Sequence, residues 1–401
     1  MFIFKAAVIG AGAMGGSIAQ VISYSGLPVI LKDVDQAALD AGMAKARGIY
    51  EDRARKGKMS AAQVEEKMAL ITPQLDYTGF DDVDIAIEAV PEKLAVKQAV
   101  FKELDGILHS GAVLASNTSA LSISAMAEVT NRPGQVVGLH FFNPAHVMKL
   151  VEVIPGGETS EETVEGTIQF ARELRKIPVV VKECPGFLVN RLLSPYLNEA
   201  IFALEEGAAS AEEIDTAMVE AGMPLGPFTL ADMLGLDVCY HAGMTMAAAY
   251  GDRMPASHLI GKLVEAGRLG QKSGKGFYTY GDESGPTLDE LIAEVQAETG
   301  IKGTRFTPNR LLLPLLNEAA YCVAENIAGL GDIGLAMQAG AGFPKSPLEM
   351  ADEMGLDTVL HELETWEQEL GPRFTPAPLL REKVAAGELG KKTGQGFLEY
   401  T

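Results

Sequence analysis

The sequence predicts an N-terminal α/β domain with a doubly wound sheet, followed by two repeated all-α domains. Three observations predict this fold class. An apolar strand pattern runs into a glycine-rich turn and then a helical pattern over residues 4–24. Short apolar strand patterns then alternate with helical patterns as far as residue 182, which is typical of an α/β sheet. The rest of the chain is helical and repeats itself at a nearly fixed offset.

The first strand leads into the turn Gly10-Ala11-Gly12-Ala13-Met14-Gly15, which has the spacing G-x-G-x-x-G. Between a strand and a helix, this spacing indicates a dinucleotide-binding domain of the Rossmann type. Gly10 permits the tight turn, Gly12 lets the backbone approach a pyrophosphate, and Gly15 lets the helix pack close to the strand. The N–H groups that start the helix would then hold the phosphates.

The second strand pattern ends in Asp33, 23 residues after Gly10 (33 − 10). An acid at this place can accept hydrogen bonds from the adenosine ribose and repel a 2′-phosphate, which favours NAD over NADP. Lys32, next to it, slightly weakens the exclusion of NADP. The alternative is an ordinary βαβ unit with a surface aspartate.

Length and composition limit the class of protein. A chain of 401 residues should hold two or three domains, and its 47% hydrophobic content suits a packed core. The formal net charge of −21 argues against nonspecific binding to nucleic acid or to an anionic membrane. It does not exclude an anionic substrate, because a local basic patch can act within an acidic protein.

The cysteines and the N-terminus point to a cytoplasmic protein. Cys184, Cys239 and Cys322 are scattered, so a disulfide framework or a zinc site is not expected, and no metal is predicted. The first strand begins so early that no signal peptide is expected. No apolar run reaches the ~20 residues of a membrane span.

The region 36–69 has a helical pattern and contains the densest basic cluster of the sequence, Arg53-Ala54-Arg55-Lys56-Gly57-Lys58. One interpretation is a solvated helix face. The other is a binding site for a phosphorylated ligand.

Two further strand patterns, at 84–90 and 112–115, flank a helix over 94–108. The second is followed by Ser116-Asn117-Thr118-Ser119. Ligands of open α/β sheets bind outside the carboxyl ends of the strands, so this polar segment is a candidate site. A capping turn before a helix at 122–127 is the alternative.

His140 follows the apolar run of the next strand, and Glu152 lies between Val151 and Val153 in a strand pattern at 149–154. A lone histidine in such a place is more often a satisfied core residue. An unpaired buried carboxylate is costly, so we expect His140 to pair with Glu152. A strand at 178–182, after a helix over 161–175, is expected to close the sheet.

The helical half, after Cys184-Pro185-Gly186-Phe187, contains an internal repeat. Asn190-Arg191 recurs as Asn309-Arg310, an offset of 119 (309 − 190), and Gly235-Leu236-Asp237 recurs as Gly355-Leu356-Asp357, an offset of 120 (355 − 235). The sequence thus predicts domains at 1–184, 185–295 and 296–401, with a link between the repeats at about 281–307.

Together these features resemble the L-3-hydroxyacyl-CoA dehydrogenase family over nearly the whole chain. The stretches that carry the resemblance are 10–15, 116–119, 138–144, 148–153 and 185–191. The duplicated helical half looks like the dehydrogenase part of the multifunctional β-oxidation enzymes, whose hydratase part has no match here. The resemblance implies NAD-dependent, reversible oxidation of (S)-3-hydroxyacyl-CoA to 3-ketoacyl-CoA, in fatty acid β-oxidation or 3-hydroxybutyryl-CoA metabolism.

The resemblance also assigns roles to residues. His140 matches the catalytic base and Glu152 its paired carboxylate, while Ser119 and Asn190 match residues that position the substrate. Beyond the glycine turn and Asp33, the implied cofactor contacts are Glu92, Lys97 and Lys272; the further implied substrate contacts are Asn143 and, loosely for the CoA phosphates, Arg55, Lys56 and Lys58.

The residue types suit this chemistry, because an imidazole changes its charge near neutral pH and can remove the hydroxyl proton. Two other interpretations stay open. One is a dehydrogenase of free 3-hydroxy acids, although such relatives typically use a catalytic lysine. The other is a noncatalytic NAD-binding sensor or assembly subunit.

The duplication carries expectations of its own. Only one glycine fingerprint occurs, so one NAD site is expected and Asn309 should be catalytically silent. The second helical domain is expected to provide, within one chain, a contact that single-repeat relatives make by dimerising. Whether the protein is a monomer or a homodimer, and whether it works with an enoyl-CoA hydratase or a thiolase, stays open.

Overall fold

The computed structural model describes residues 2–281, 284–303 and 305–400. It divides into two compact units, Met1–Phe187 and Leu188–Thr401. The first unit is an α/β domain and the second is helical, which confirms the predicted fold class. The division of the chain into three domains stays a prediction.

The first unit is built on one sheet. Its strands are β1 (Ala6–Ile9), β2 (Val29–Lys32), β3 (Ile71–Gln74), β4 (Ile85–Glu88), β5 (Val113–Ser116), β6 (Val136–Phe141), β7 (Leu150–Pro155) and β8 (Ile177–Val180). They lie in the order β3-β2-β1-β4-β5-β6-β7-β8, with antiparallel pairing only between β6 and β7. From β1 the strand order first runs outward to β2 and β3 and then continues with β4 on the other side of β1. Open α/β sheets bind ligands at such a switch point in the strand order.

Helices accompany this sheet. They are α1 (Gly15–Tyr24), α2 (Gln36–Arg55), α3 (Ala61–Met68), α4 (Leu94–Ile107), α5 (Ile123–Ala127) and α6 (Glu161–Glu173). Every residue of β1, β2, β4 and β5 is buried. This burial explains why these strands read as nearly continuous apolar runs instead of alternating patterns.

One local prediction needs correction, and the structure has two elements that the sequence did not predict. The single helix expected over 36–69 is two helices, because Gly57 adopts a positive φ of 68° and Ser60 starts α3 with a capping box to Gln63. Strand β3 was not predicted, since it is short and its two central residues are exposed. The link expected at 281–307 contains a helix.

In its described residues the second unit consists of helices joined by loops. Its helices are α7 (Val189–Glu205), α8 (Ala211–Glu220), α9 (Pro227–Leu234), α10 (Leu236–Tyr250), α11 (His258–Glu265), α12 (Leu288–Thr299), α13 (Pro308–Ala324), α14 (Leu330–Ala341), α15 (Pro347–Met354), α16 (Leu356–Leu370) and α17 (Pro378–Ala385). The boundary expected between residues 295 and 296 falls inside α12. None of the helices in the described ranges is long and apolar enough to cross a membrane.

Helices α7 and α13 begin the two repeats, and they pack against each other. The repeats exchange buried ion pairs across this contact. Arg191 of α7 donates to Glu318 of α13 at 2.7 Å, and Arg310 of α13 donates to Glu199 of α7 at 2.7 Å. Each member of one pair is the repeat counterpart of a member of the other, so the contact has the reciprocity of a two-fold interface.

The burial of these ion pairs predicts that one substitution strongly lowers the stability of the protein. Arg310 is fully buried, and its guanidinium holds Glu199 at 2.7 Å and Glu206 at 2.6 Å. Replacing Arg310 with Met leaves two buried carboxylates with less compensation, so the free energy of unfolding should fall by ~3–5 kcal/mol in urea titration. Lys345→Met, which breaks an exposed ion pair, should have a far smaller effect. Equal effects of the two substitutions would contradict this account.

Candidate active site

The glycine turn forms an open cradle at the end of β1. Gly10 has a φ of 100°, and a Cβ on Gly15 would lie 1.7 Å from the Gly10 carbonyl oxygen, so neither position accepts a side chain. A Cβ on Gly12 would have no atom within 4 Å. The backbone at Gly12 is thus open to a ligand, and α1 begins at Gly15 with its free N–H groups beside it. These residues fit a dinucleotide pyrophosphate.

Asp33 lies at the end of β2, beside this cradle. Its carboxylate accepts hydrogen bonds from the N–H groups of Ala11 and Val34, both at 2.7 Å. The neighbouring Lys32 is buried, with its ammonium group 4.5 Å from the centre of the Tyr77 ring. The Lys32 charge therefore lies against an aromatic ring.

A buried ion network joins the ends of β4 and α4. Lys97 is 1% exposed, and its ammonium group contacts both carboxylate oxygens of Glu88, at 2.8 and 3.0 Å, and one oxygen of Glu92 at 3.1 Å. Burial raises the pKa of Glu88, against the opposing effect of the Lys97 charge. The resemblance implied that Lys97 touches the cofactor, whereas here its ammonium group is enclosed by these carboxylates.

Glu92 connects the network to Ser119. One Glu92 oxygen accepts hydrogen bonds from the Thr118 hydroxyl at 2.6 Å and from the Ser119 N–H at 2.9 Å. Burial opposes the charged form of Glu92, but Lys97 and these hydrogen bonds together hold its pKa below the usual value. The two residues that the resemblance assigns to cofactor and substrate thus lie in direct contact.

Ser116 and Asn117, the first two residues of the polar segment at the end of β5, hold this segment in place. Ser116 donates to the buried Glu88 at 2.6 Å. Asn117 accepts a hydrogen bond from the Phe141 N–H at 2.8 Å, which ties the turn after β5 to the strand that carries His140. Only the position of this polar segment at the end of a strand signalled its importance.

His140 and Glu152 face each other across the antiparallel strands β6 and β7. The His140 Nδ1 atom lies 2.8 Å from Glu152 Oε2, and the two residues are 6% and 0% exposed. The rings of Phe142 and Phe187 lie 4.5 and 5.9 Å from the imidazole, centre to centre. The expected pair is therefore present in a largely apolar environment, and Asn143 lies exposed just beyond it.

The basic cluster lies at the end of α2. Arg55 and Lys56 contact Asp52 at 3.3 and 2.6 Å, and both stay exposed, as does Lys58. Exposed ion pairs of this kind are weak, so they leave the cations available to an anionic group. Arg53 instead stacks on Tyr24, 4.6 Å from the ring centre.

Further basic residues join this region from distant parts of the sequence. Burial, together with the charges of Lys176, Lys45 and Arg53, lowers the pKa of His146. Lys45 donates to the carbonyl of Ala13 in the glycine turn. Burial lowers the pKa of Lys176 to about 8. No sequence pattern links these positions, so sequence reasoning missed the convergence.

The second unit contains Asn190 and Lys272. Asn190 lies half-buried in the first turn of α7. Lys272 forms an ion pair with Asp237, and its repeat counterpart Lys392 forms the same pair with Asp357. Because both repeats have this pair, it has a structural role in addition to any contact that Lys272 makes with a cofactor.

The sheet order and the glycine cradle define the first unit as a dinucleotide-binding domain. Two family models match the chain. The model for the NAD binding domain of 3-hydroxyacyl-CoA dehydrogenase matches residues 5–184, and the model for its C-terminal domain matches twice, at 186–280 and 306–400. The chain therefore belongs to the 3-hydroxyacyl-CoA dehydrogenase family.

Individual relatives agree with this assignment. The structure is similar to 3-hydroxybutyryl-CoA dehydrogenase from Escherichia coli K12, with a TM-score of 0.86 and 30% identity over 96% of this chain and 99% of that one. The (S)-3-hydroxybutyryl-CoA dehydrogenase from Ralstonia eutropha is 39% identical, with a TM-score of 0.67 over 70% of this chain and 100% of that one.

A longer relative is the fatty acid oxidation complex subunit alpha from Psychrobacter sp. (strain PRwf-1). It is 40% identical over 399 residues, which are 96% of this chain and 55% of the relative. The chain thus spans about half the length of the curated relatives that it matches.

The ion network predicts that Lys97 is essential for stability. Lys97→Met removes the only cation shown against the buried Glu88 in the described ranges, so the free energy of unfolding should fall by ~3–5 kcal/mol. Adding Glu88→Gln removes the uncompensated charge and should restore part of the loss. Urea titration of the single and double variants measures both effects. If the double variant is no more stable than Lys97→Met, the uncompensated charge of Glu88 is not the cause of the lost stability.

Proposed function

We propose that the protein catalyses the reversible NAD-dependent oxidation of (S)-3-hydroxyacyl-CoA to 3-ketoacyl-CoA. The observation that carries the proposal is the buried His140–Glu152 contact of 2.8 Å, in a chain that belongs to the 3-hydroxyacyl-CoA dehydrogenase family. The 3-hydroxybutyryl-CoA dehydrogenases to which the structure is similar support this substrate class.

In this proposal His140 moves the proton. Its Nδ1 atom is directed at Glu152, so Nε2 is the ring atom that can take the proton of the substrate hydroxyl. Glu152 accepts a hydrogen bond from Nδ1–H, which fixes the tautomer and stabilises the imidazolium that forms. NAD held at Gly10, Gly12, Gly15 and Asp33 would supply the acceptor for the hydride on the carbon that carries this hydroxyl.

Other residues bind and orient the reactants. The backbone at Gly10, Gly12 and Gly15 would hold the pyrophosphate, and Asp33 the adenosine ribose. Ser119, held by Glu92, and Asn190 would bind the reacting oxygen or the thioester carbonyl, with Asn143 as a further substrate contact. The CoA phosphates would lie against the exposed cations Arg55, Lys56 and Lys58.

The name of the longer relatives supports a place in fatty acid β-oxidation. We infer a functional link to an enoyl-CoA hydratase, which would supply the substrate, or to a thiolase, which would consume the product, and we infer that the protein acts in the cytoplasm. The reciprocal contact of α7 with α13 supports our further proposal that the second repeat takes the place of a partner subunit.

The direct test of this function is NADH oxidation with acetoacetyl-CoA, run beside NADPH and beside free acetoacetate. Turnover with NADH and the thioester alone is expected. Turnover of the free acid would favour a dehydrogenase of hydroxy acids instead. NAD binding without turnover of either compound would favour a sensor.

His140→Gln should lower turnover at least ~10²-fold, because the variant loses the general base. Steady-state rates with acetoacetyl-CoA and NADH measure the loss. The matched control is His109→Gln, which changes a partly exposed histidine of the same unit and should leave the rate nearly unchanged. A normal rate in His140→Gln would remove this residue from the mechanism.

The two directions of the reaction should also differ in their pH dependence. Reduction of the 3-keto thioester needs a protonated His140 and should speed up as the pH falls. Oxidation needs the neutral imidazole and should speed up as the pH rises. Initial rates in each direction provide the test, and parallel pH profiles would contradict the proposed role.

A further inference from the structure

The end of α9 and the start of α10 bear exposed apolar side chains. Met233 is 54% exposed, Leu234 44% and Val238 56%, and Leu225 nearby in the sequence is 37% exposed. Ala242 follows Val238 by four residues and lies on the same side of α10. We call these five residues the apolar face.

The second repeat provides an internal comparison. The residues 120 positions later (355 − 235) are Lys345, Glu353, Met354, Thr358 and Glu362. The Lys345 ammonium group binds both oxygens of Glu353, at 2.8 and 2.7 Å. Three of these five counterparts are charged and the second repeat still folds, so folding does not require the apolar face. Its apolar character in the first repeat therefore indicates binding.

One end of the apolar face adjoins a residue that the family resemblance assigns to the cofactor. Val238 directly follows Asp237, which pairs with Lys272. This places the face beside a predicted ligand contact.

The other end adjoins the position of Asn190. In the second repeat, the equivalent Asn309 donates to both oxygens of Glu362, at 3.2 and 2.9 Å. In the first repeat Ala242 stands at the place of Glu362. Ala242 cannot accept a hydrogen bond through its side chain as Glu362 does, and the repeat correspondence puts Asn190 beside the Ala242 end of the apolar face.

We propose that the apolar face binds the acyl chain of the CoA thioester, an inference that rests on the proposed function. Asn190 would bind the polar thioester end, and the hydrocarbon chain would extend over Ala242 and Val238 toward Met233. An acyl chain has no charge to match, and it gains by leaving water for such a surface. The counterpart face of the second repeat, which is more polar and carries an ion pair, offers less of this gain.

The experiment replaces three residues of the apolar face with their counterparts from the second repeat. In the wild type, kcat/KM with NADH should be higher for 3-ketododecanoyl-CoA than for acetoacetyl-CoA. In the variant Leu225→Lys/Met233→Glu/Val238→Thr, this ratio should fall at least ~10-fold, since each buried methylene contributes roughly fourfold to binding. The introduced Lys–Glu pair reproduces a pair that the fold already accepts.

The control is the reverse transfer, Lys345→Leu/Glu353→Met/Thr358→Val, which should leave the ratio unchanged. Calorimetric titration with dodecanoyl-CoA and butanoyl-CoA checks binding without turnover and should show the same loss of preference. Two results would overturn this inference and leave the proposed function standing. One is a wild type that turns over acetoacetyl-CoA without preferring the longer chain, and the other is a transfer variant with an unchanged ratio. A wild type inactive on both thioesters overturns the proposed function as well.

A second copy of the chain is the competing occupant of the apolar face. Sedimentation velocity of the wild type and the transfer variant tests it. We expect the same sedimentation coefficient for both proteins. A dimer that dissociates only in the variant, together with an unchanged ratio, would assign the face to self-association and overturn acyl-chain binding.

Discussion

The antiparallel pairing of β6 with β7 is the constraint on which the candidate site depends. In a sheet that is otherwise parallel, this one reversal places Glu152 directly opposite His140. Both side chains are buried, and a buried carboxylate needs a partner, so the contact stabilises the strands and orients the imidazole at once. The same pair serves the fold and, in our proposal, the chemistry.

Buried ion pairs join separate elements in both units. Lys97 links β4 to the turn after β5 through Glu88 and Glu92. Arg191 and Arg310 link the two helical repeats by reciprocal contacts. Such pairs add little net stability compared with apolar packing, but removing one partner is costly. Loss of either partner of such a pair should therefore weaken the packing of these elements against each other.

Much of this arrangement could be predicted because it follows from local patterns. Gly10, Gly12 and Gly15 lie in one turn, and an acid within an apolar strand called for a partner, which identified Glu152 and His140. The convergence of Lys45, His146 and Lys176 could not be predicted, since it depends on how distant elements pack. The break at Gly57 was missed because its flanks are both good helix formers. The enclosure of Lys97 also depends on tertiary packing.

The orientation of the His140 ring is the central structural claim, and ¹⁵N NMR of the histidine side chains tests it most directly. We expect the neutral ring of His140 to carry its proton on Nδ1, donated to Glu152, with Nε2 free of a proton. Glu152→Gln should perturb the signal of this ring and leave that of His109 unchanged. A neutral His140 protonated on Nε2, with no response to Glu152→Gln, would contradict the account.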